Sequence, residues 1–210
     1  GSVVLGAMIG GVLGAKLYYL IDHWDQTVLD PRGQILTGAG LTYYGGLLGG
    51  ALLAFFAAWR NKVPFLQLID MCAPLMALGY AIGRFGCFLN GDDYGLPTDV
   101  PWGMSFPKGS PPTLETVHPT QMYEVLWGGA IFAFLWMIRK ANEMYLGRMF
   151  GLYLILAGIE RFVVEYWRTN VPMGGLTVAQ WISVVLFSIG IVLVVLSNRR
   201  ALEVQESRAV

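Results

Sequence analysis

Apolar residues along this chain gather into six segments separated by polar connections. Each segment approaches the roughly 20 residues that an α-helix needs to cross the hydrocarbon core of a bilayer. The pattern predicts an all-α integral membrane protein with about six transmembrane helices, folded as a single transmembrane helical domain over residues 1–210. The predicted spans cover residues 3–21, 41–59, 65–89, 121–138, 149–167 and 176–197.

The third segment is the least regular of the six, because Asp70, Pro74 and Arg84 interrupt its apolar run. Proline removes a backbone donor from a helix interior, and the freed groups must be satisfied by protein at membrane depth. We therefore expect a kinked or partly re-entrant helix here.

Glycines recur at four-residue spacing in the first two segments. Small residues at this spacing allow two helix backbones to approach closely. The pattern predicts a packing role for most of them, and they are Gly6, Gly10, Gly14, Gly45, Gly46, Gly49 and Gly50.

Lysine and arginine residues are distributed unevenly among the connections. Eight of them follow the second, fourth and sixth segments, and three lie in the other connections. Because positive residues are retained on the cytoplasmic side, this pattern predicts that both termini are cytoplasmic. The connections 22–40 and 90–120 then lie outside, and the length of the second predicts a functional extracytoplasmic loop, with a solvated linker as the alternative.

Composition supports a membrane protein and excludes other classes. Hydrophobic residues make up 55% of the chain, charged residues 13%, and the mean hydropathy is +0.55. The formal net charge is zero, so no basic surplus points to nucleic acid.

Cys72 and Cys87 would lie about 22 Å apart on a continuous helix, too far for a disulfide. His23 and His118 are distant in sequence and no CxxC or HExxH pattern occurs, so we expect no metal site.

The stretch GRFGCFLNGDDY holds the first candidate for chemistry. Arg84 stands within an apolar segment, where an arginine is costly unless it meets a counter-charge, water or an anionic ligand. The simpler alternative is that its side chain snorkels to the interface. Cys87 neighbours Arg84 at i+3 on a helix. The turn Asn90-Gly91-Asp92 can orient N–H groups and a carboxylate toward the outer edge of the bundle.

The stretch HPTQMYE opens the fourth segment and holds the second candidate. Thr120 is a candidate N-cap, because its hydroxyl can accept a hydrogen bond from the first turn. His118 beside a helix N-terminus tends to be neutral, which suits a base or a hydrogen-bond acceptor. Gln121, Tyr123 and Glu124 follow within the first turn, and their presence favours a functional role over a merely interfacial histidine.

The fifth segment carries charges on one helical face. Arg161, Glu165 and Arg168 are spaced i, i+4 and i+7, so Glu165 can bridge two guanidinium groups and lower the cost of their burial. Two arginines to one glutamate leave excess positive charge, which favours a bound phosphate over an ion-paired helix contact without a ligand. Glu160 points about 100° away, and its partner is not evident from the sequence.

Four stretches together resemble the bacterial prolipoprotein diacylglyceryl transferase family. Residues 83–92, GRFGCFLNGD, are similar to its signature G-R-x-G-N-F-x-N-G-E. Residues 118–124 resemble its H-P-S-Q-L-Y-E, residues 161–168 its R-x-x-V-E-x-x-R, and residues 43–47 its F-H-G-G-L. The four motifs appear in the family's order and span most of the chain.

The resemblance implies a multi-pass enzyme of the bacterial inner membrane. It would transfer the diacylglyceryl group of phosphatidylglycerol to the cysteine thiol of a prolipoprotein signal peptide, and release glycerol phosphate at the outer face. No metal or organic cofactor is implied. Arg84 and Arg161 would hold the lipid phosphate, where charge develops as it leaves. His118, Asp92 and Glu124 would serve in positioning or proton transfer.

The motifs assign the site residues one by one. The expected catalytic residues are Arg84, Asp92, His118 and Arg161. The expected substrate-binding residues are Tyr44, Gly45, Gly46, Cys87, Asn90, Gly95, Gln121, Tyr123, Glu124, Glu165 and Arg168.

Three positions depart from the family pattern. Tyr44 replaces the histidine before Gly-Gly, and a phenol is a poor base at neutral pH. Cys87 replaces the first asparagine of the signature, and Asp92 its longer glutamate. The departures leave two alternatives open, which are a phospholipid-dependent transferase with another acceptor and a non-catalytic phospholipid-binding protein. A transporter is a further alternative, disfavoured because no internal repeat is evident.

Overall fold

Eight α-helices and one β-hairpin make up the part of the chain that the structure describes. This computed structural model describes residues 2–36, 42–168, 170 and 174–209, apart from the side chains of 36, 43, 44 and 203–209. The contacts separate into two compact units, residues 1–68 and residues 69–210.

The first unit contains α1 (Ser2–Asp22), α2 (Trp24–Leu29), α3 (Pro31–Leu36) and α4 (Tyr43–Arg60). Glycines bring α1 and α4 together. A Cβ added to Gly10 would collide with the carbonyl oxygen of Gly49, and one added to Gly14 would collide with that of Gly45. The predicted packing role of these glycines is therefore confirmed.

Helix α5 (Phe65–Asn90) runs for 26 residues with Pro74 inside it. The partly re-entrant alternative is wrong, because the helix continues through the proline, and the kink at Pro74 stays a prediction. Asp70 accepts hydrogen bonds from the backbone N–H groups of Gly147 at 2.5 Å and Phe150 at 2.8 Å. These are otherwise unpaired donors at the start of the helix Arg148–Val164, so α5 supplies a cap to another helix.

The remaining helices are α6 (Thr120–Ile138), α7 (Arg148–Val164) and α8 (Val178–Ala209). Single 3₁₀ turns follow α6 and α7, at Lys140–Asn142 and Glu165–Trp167. All six predicted segments therefore form helices. Within the described residues, four helices are long and apolar enough to cross a membrane, and these are α1, α5, α6 and residues Val178–Leu202 of α8.

The burial along α6 is the reverse of that in a water-soluble helix. Gln121 and Glu124 are fully buried, whereas Leu126 is 69% exposed and Met137 80% exposed. Large apolar side chains on the outside and polar groups inside are expected where the surrounding solvent is lipid. This pattern supports a membrane location for α6.

The polar connection 90–120 contains a structure that the sequence pattern did not predict. Strands β1 (Met104–Phe106) and β2 (Thr113–Val117) pair antiparallel. The N–H of Gly95 donates to the carbonyl of His118 at 2.8 Å, and the N–H of Leu96 donates to the carbonyl of Trp167 at 2.8 Å. These backbone hydrogen bonds join the loop to the segments that open α6 and follow α7.

Gly95 lies where its own loop packs closely against the start of α6 and the 3₁₀ turn after α7. A Cβ at this position would collide with the Trp167 carbonyl oxygen and lie 2.7 Å from Cγ2 of Thr120. The position therefore has room only for glycine. This packing accounts for Gly95 without requiring a direct contact to substrate.

Candidate functional site

Three arginines and three carboxylates from separate elements of the second unit converge. We call this group the arginine–carboxylate cluster. Its members are Arg84 of α5, Asp93 of the following loop, Glu124 of α6, Arg161 of α7, and Glu165 and Arg168 at and just beyond the 3₁₀ turn after α7.

Glu124 is the centre of the arginine–carboxylate cluster. Its Oε2 lies 3.0 Å from Nε of Arg84, and its Oε1 lies 3.5 Å from Nη1 of Arg161 and 3.6 Å from Nη1 of Arg168. Tyr80 donates a hydrogen bond to the same Oε1 at 3.0 Å. Because the Glu124 side chain is fully buried, its charge depends on these partners.

Glu165 bridges the two arginines of its own segment, as the sequence spacing predicts. Its Oε2 lies 3.0 Å from Nη2 of Arg161 and 3.9 Å from Nε of Arg168. Asn170 donates to its other oxygen at 2.7 Å. Glu165 thus orients both guanidinium groups from a fully buried position.

Asp93 completes the arginine–carboxylate cluster, and sequence reasoning missed it. Its Oδ2 lies 2.7 Å from Nη1 of Arg84, and its Oδ1 lies 3.0 Å from Nη2 of Arg168. Partial burial would raise the pKa of Asp93, but the hydrogen bond from Arg84 and the charge of Arg168 lower it below its ordinary value. The only sequence signal was a second acid directly after the Asn-Gly-Asp turn.

The expected excess of positive charge is wrong. The spacing along one helix predicted two arginines and one glutamate at the site, whereas the folded chain brings together three arginines and three carboxylates. Even so, Nη1 of Arg161 and Nη1 of Arg168 are buried and have no hydrogen-bond partner among the described residues. Their contacts to Glu124, at 3.5 and 3.6 Å, are too long for hydrogen bonds.

Glu160 has a partner that the sequence did not reveal. Its Oε1 lies 3.3 Å from the hydroxyl of Tyr80, which also contacts Glu124. Tyrosine has one hydroxyl proton, so the two carboxyl groups cannot both accept it fully. Glu160 is buried and forms no ion pair with a described arginine or lysine, and an unpaired buried carboxylate takes up a proton instead. We therefore treat Glu160 as the neutral partner and Glu124 as the ionised one.

The signature turn lies beside the arginine–carboxylate cluster. Asn90 donates to Oδ2 of Asp92 at 2.6 Å, and Nη1 of Arg84 approaches Sγ of Cys87 at 3.9 Å, so Cys87 borders Arg84 as predicted. Gln121 donates to the backbone carbonyl of Asp92 at 2.5 Å. Asn90 and Gln121 therefore hold the turn, and Asp92 forms no ion pair within the described chain.

Three further sequence expectations concern Thr120, the two cysteines and a metal site. Thr120 is not the N-cap of α6, because it is already the first helical residue and Pro119 precedes it as the N-cap. The Thr120 hydroxyl instead donates to the carbonyl of Asp93 at 2.9 Å. Cys87 and Cys72 are both free thiols. Cys87, Asp92 and Asp93 place possible metal-ligand atoms within 4.8 Å of one another, but Asp93 is already paired with two arginines. The expectation of no metal site stays a prediction.

His118 belongs to a second polar group. Its Nδ1 lies 3.0 Å from the hydroxyl of Tyr123, which accepts a hydrogen bond from Nε1 of Trp102 at 2.8 Å. All three side chains line a cavity of about 920 Å³. The rest of its lining is largely apolar and includes Met104, Met122, Leu126, Trp127, Ala130, Val164 and Trp167.

The motif in the first unit is described only in part. The side chain of Tyr44 lies outside the described residues. Gly45 packs against α1, and a Cβ on Gly46 would lie 3.3 Å from the carbonyl oxygen of Gly11. Both glycines therefore have a packing role in the first unit, and their expected contact with substrate stays a prediction.

A model of the family described as prolipoprotein diacylglyceryl transferase matches residues 1–196. Relatives named phosphatidylglycerol–prolipoprotein diacylglyceryl transferase include one from Finegoldia magna, 32% identical over 208 residues, covering 98% of this chain and 81% of the relative. Another, from Bordetella avium, is 35% identical over 204 residues, covering 94% of this chain and 75% of the relative.

Proposed function

Because the chain belongs to the prolipoprotein diacylglyceryl transferase family, we propose that it transfers the diacylglyceryl group of phosphatidylglycerol to the cysteine thiol of a prolipoprotein signal peptide. Membership also makes it a multi-pass membrane protein. The released product would be glycerol phosphate.

The observation that carries the proposal is the pair of buried guanidinium donors without hydrogen-bond partners. Nη1 of Arg161 and Nη1 of Arg168 lie in the arginine–carboxylate cluster, and a buried unpaired donor costs about 1–3 kcal/mol. Phosphate oxygens are strong acceptors for arginine. An anionic headgroup would therefore satisfy donors that the described protein groups leave unpaired.

The proposed reaction forms one carbon–sulfur bond and breaks one carbon–oxygen bond. The thiol sulfur attacks the glycerol carbon that carries the phosphate, and the phosphate oxygen leaves with the electron pair. The thiol proton passes to solvent or to the leaving phosphate, and Asp92 and His118 are the candidates for moving it. Arg84 and Arg161 stabilise charge on the leaving phosphate. Glu124 positions them, since it is fully buried among the arginines.

The cavity beside His118 suits an acyl chain of the lipid. Ala130 lines it, whereas Ala133 on the same helix does not. We expect Ala130→Phe to raise the KM for phosphatidylglycerol about 15-fold, because lost burial of two methylene groups costs roughly 1.6 kcal/mol. Ala133→Phe is the matched control, and the two variants are compared by steady-state kinetics in detergent micelles. Equal KM values for the two variants would place the acyl chain elsewhere.

The transfer reaction itself is tested with purified protein, labelled phosphatidylglycerol and a peptide containing the acceptor cysteine. We expect lipidated peptide and glycerol phosphate in equal amounts, and no product from the Cys→Ser peptide. Mass spectrometry of the lipids without peptide tests the alternative that another acceptor is used, which the replacement of the family histidine by Tyr44 keeps open. Lipid binding without any product would favour the non-catalytic alternative.

We further propose six spans, with both termini in the cytoplasm and the active site toward the outer face. The distribution of lysine and arginine supports this topology. Single cysteines placed at Lys108 and at Lys140 test it in intact cells after Cys72 and Cys87 are replaced. A membrane-impermeant thiol reagent should label the first position and spare the second, and the opposite labelling would invert the topology.

A further inference from the structure

We propose that the Asp93 carboxylate is an internal competitor for the lipid phosphate. It pairs with guanidinium donors that the phosphate would use, and it must swing away when the phosphate binds. This inference rests on the proposed function, because it concerns the headgroup subsite of the arginine–carboxylate cluster.

The contacts of Asp93 resemble those of a phosphate. Its two oxygens reach two different arginines, with Oδ2 at 2.7 Å from Nη1 of Arg84 and Oδ1 at 3.0 Å from Nη2 of Arg168. Carboxylate and phosphate both match the planar donor fork of arginine. A phosphate that bridged the same two arginines would need the volume that the Asp93 carboxylate fills.

Asp93 differs from the other two carboxylates of the cluster in its access to solvent. Its side chain is 47% exposed, whereas those of Glu124 and Glu165 are fully buried. A carboxylate that leaves arginines for water is rehydrated, but a buried one would lose its partners without compensation. Asp93 is therefore the member of the cluster that can be displaced at low cost.

The backbone of Asp93 is held by a contact that does not involve its carboxylate. The hydroxyl of Thr120 donates to its carbonyl oxygen at 2.9 Å. The residue adopts a φ of 58°, a conformation that aspartate and asparagine tolerate better than most other residues. Rotation of the side chain alone would thus clear the two arginines without moving the loop.

Charge balance supports the exchange. With Asp93 in place, three arginines face three carboxylates and the cluster is neutral. With Asp93 turned away, the arginines face only Glu124 and Glu165, and the cluster carries one positive charge. A phosphodiester carries one negative charge, so the exchange restores neutrality within the buried site.

The test uses Asp93→Asn, which removes the charge and suits the positive φ. If Asp93 covers the subsite about nine tenths of the time, its neutralisation should strengthen binding about tenfold. The probes are glycerol 1-phosphate in solution and phosphatidylglycerol in nanodiscs, titrated by calorimetry against the full chain. Asp99→Asn removes an exposed acid from the same loop and is the matched control, with wild-type affinity expected.

A second variant, Asp93→Gly, guards against a misfolded asparagine variant, because glycine also accepts the positive φ. Equal or weaker binding of both probes by the folded variants would overturn the inference, since it would make Asp93 a support for the arginines. If the variants bind the probes more tightly but no protein tested catalyses transfer, the inference about Asp93 is supported and the proposed reaction is ruled out. If the wild type catalyses transfer but both Asp93 variants bind the probes with unchanged affinity, the proposed reaction is supported and the inference about Asp93 is overturned.

Discussion

Arg84→Gln is expected to lower the rate of diacylglyceryl transfer at least about 100-fold, the usual loss when one donor to a developing negative charge is removed. Arg84 reaches Asp93 through Nη1 and Glu124 through Nε, so it connects the exposed and the buried parts of the arginine–carboxylate cluster. Glutamine keeps a hydrogen-bonding group but loses the charge. The measurement is the initial rate of peptide lipidation at saturating peptide.

Arg139→Gln is the control for the loss of a positive charge. Arg139 lies after α6, where its guanidinium stacks 3.7 Å from the ring centre of Trp136. Its replacement should leave transfer within about twofold of the wild type. Arg84→Lys should restore little activity, because an ammonium group cannot serve two partners through a planar fork. Near-normal transfer by Arg84→Gln would contradict the proposal that the arginine–carboxylate cluster binds the lipid phosphate.

Glu124→Gln is expected to lower the free energy of unfolding by about 3–5 kcal/mol, because it leaves buried guanidinium groups without their central counter-charge. Glu124 faces all three arginines of the cluster and is fully buried. The matched variant is Glu160→Gln, on the other side of the Tyr80 hydroxyl. If Glu160 is neutral, glutamine retains its charge state and its hydrogen bond, so the loss should be about 1 kcal/mol or less.

Denaturant unfolding in detergent micelles compares the two glutamine variants under the same conditions. Infrared difference spectra provide a second measurement, since Glu160→Gln should remove the carbonyl band of a protonated carboxylic acid. Equal destabilisation by the two variants would mean that Glu160 is ionised as well. In that case the Tyr80 hydroxyl would face two charged carboxylates.

The helices could be predicted from the sequence because each one corresponds to a contiguous segment of apolar residues. Predicted residues 65–89 and 121–138 became Phe65–Asn90 and Thr120–Ile138. The glycine spacing was equally local, and the close approach of Gly10 to Gly49 followed from it.

The partners of the arginines could not be predicted in the same way. Spacing along one helix identified Glu165 as a bridge, but it carries no information about carboxylates from other elements. Glu124 and Asp93 reach the same arginines from α6 and from the loop, at separations along the chain that no periodicity describes. The sequence therefore indicated arginines that converge in the fold, but it gave the wrong charge balance around them.

The backbone hydrogen bonds of Gly95 and Leu96 have a consequence for how the proposed lipid substrate would enter the cavity beside His118. They fasten the loop to His118 and Trp167, so the cavity cannot widen at that end without breaking main-chain hydrogen bonds. Leu126, which also lines this cavity, is 69% exposed. In the proposed function, the acyl tail would enter this cavity laterally from the bilayer, between side chains of α6, and the headgroup would follow.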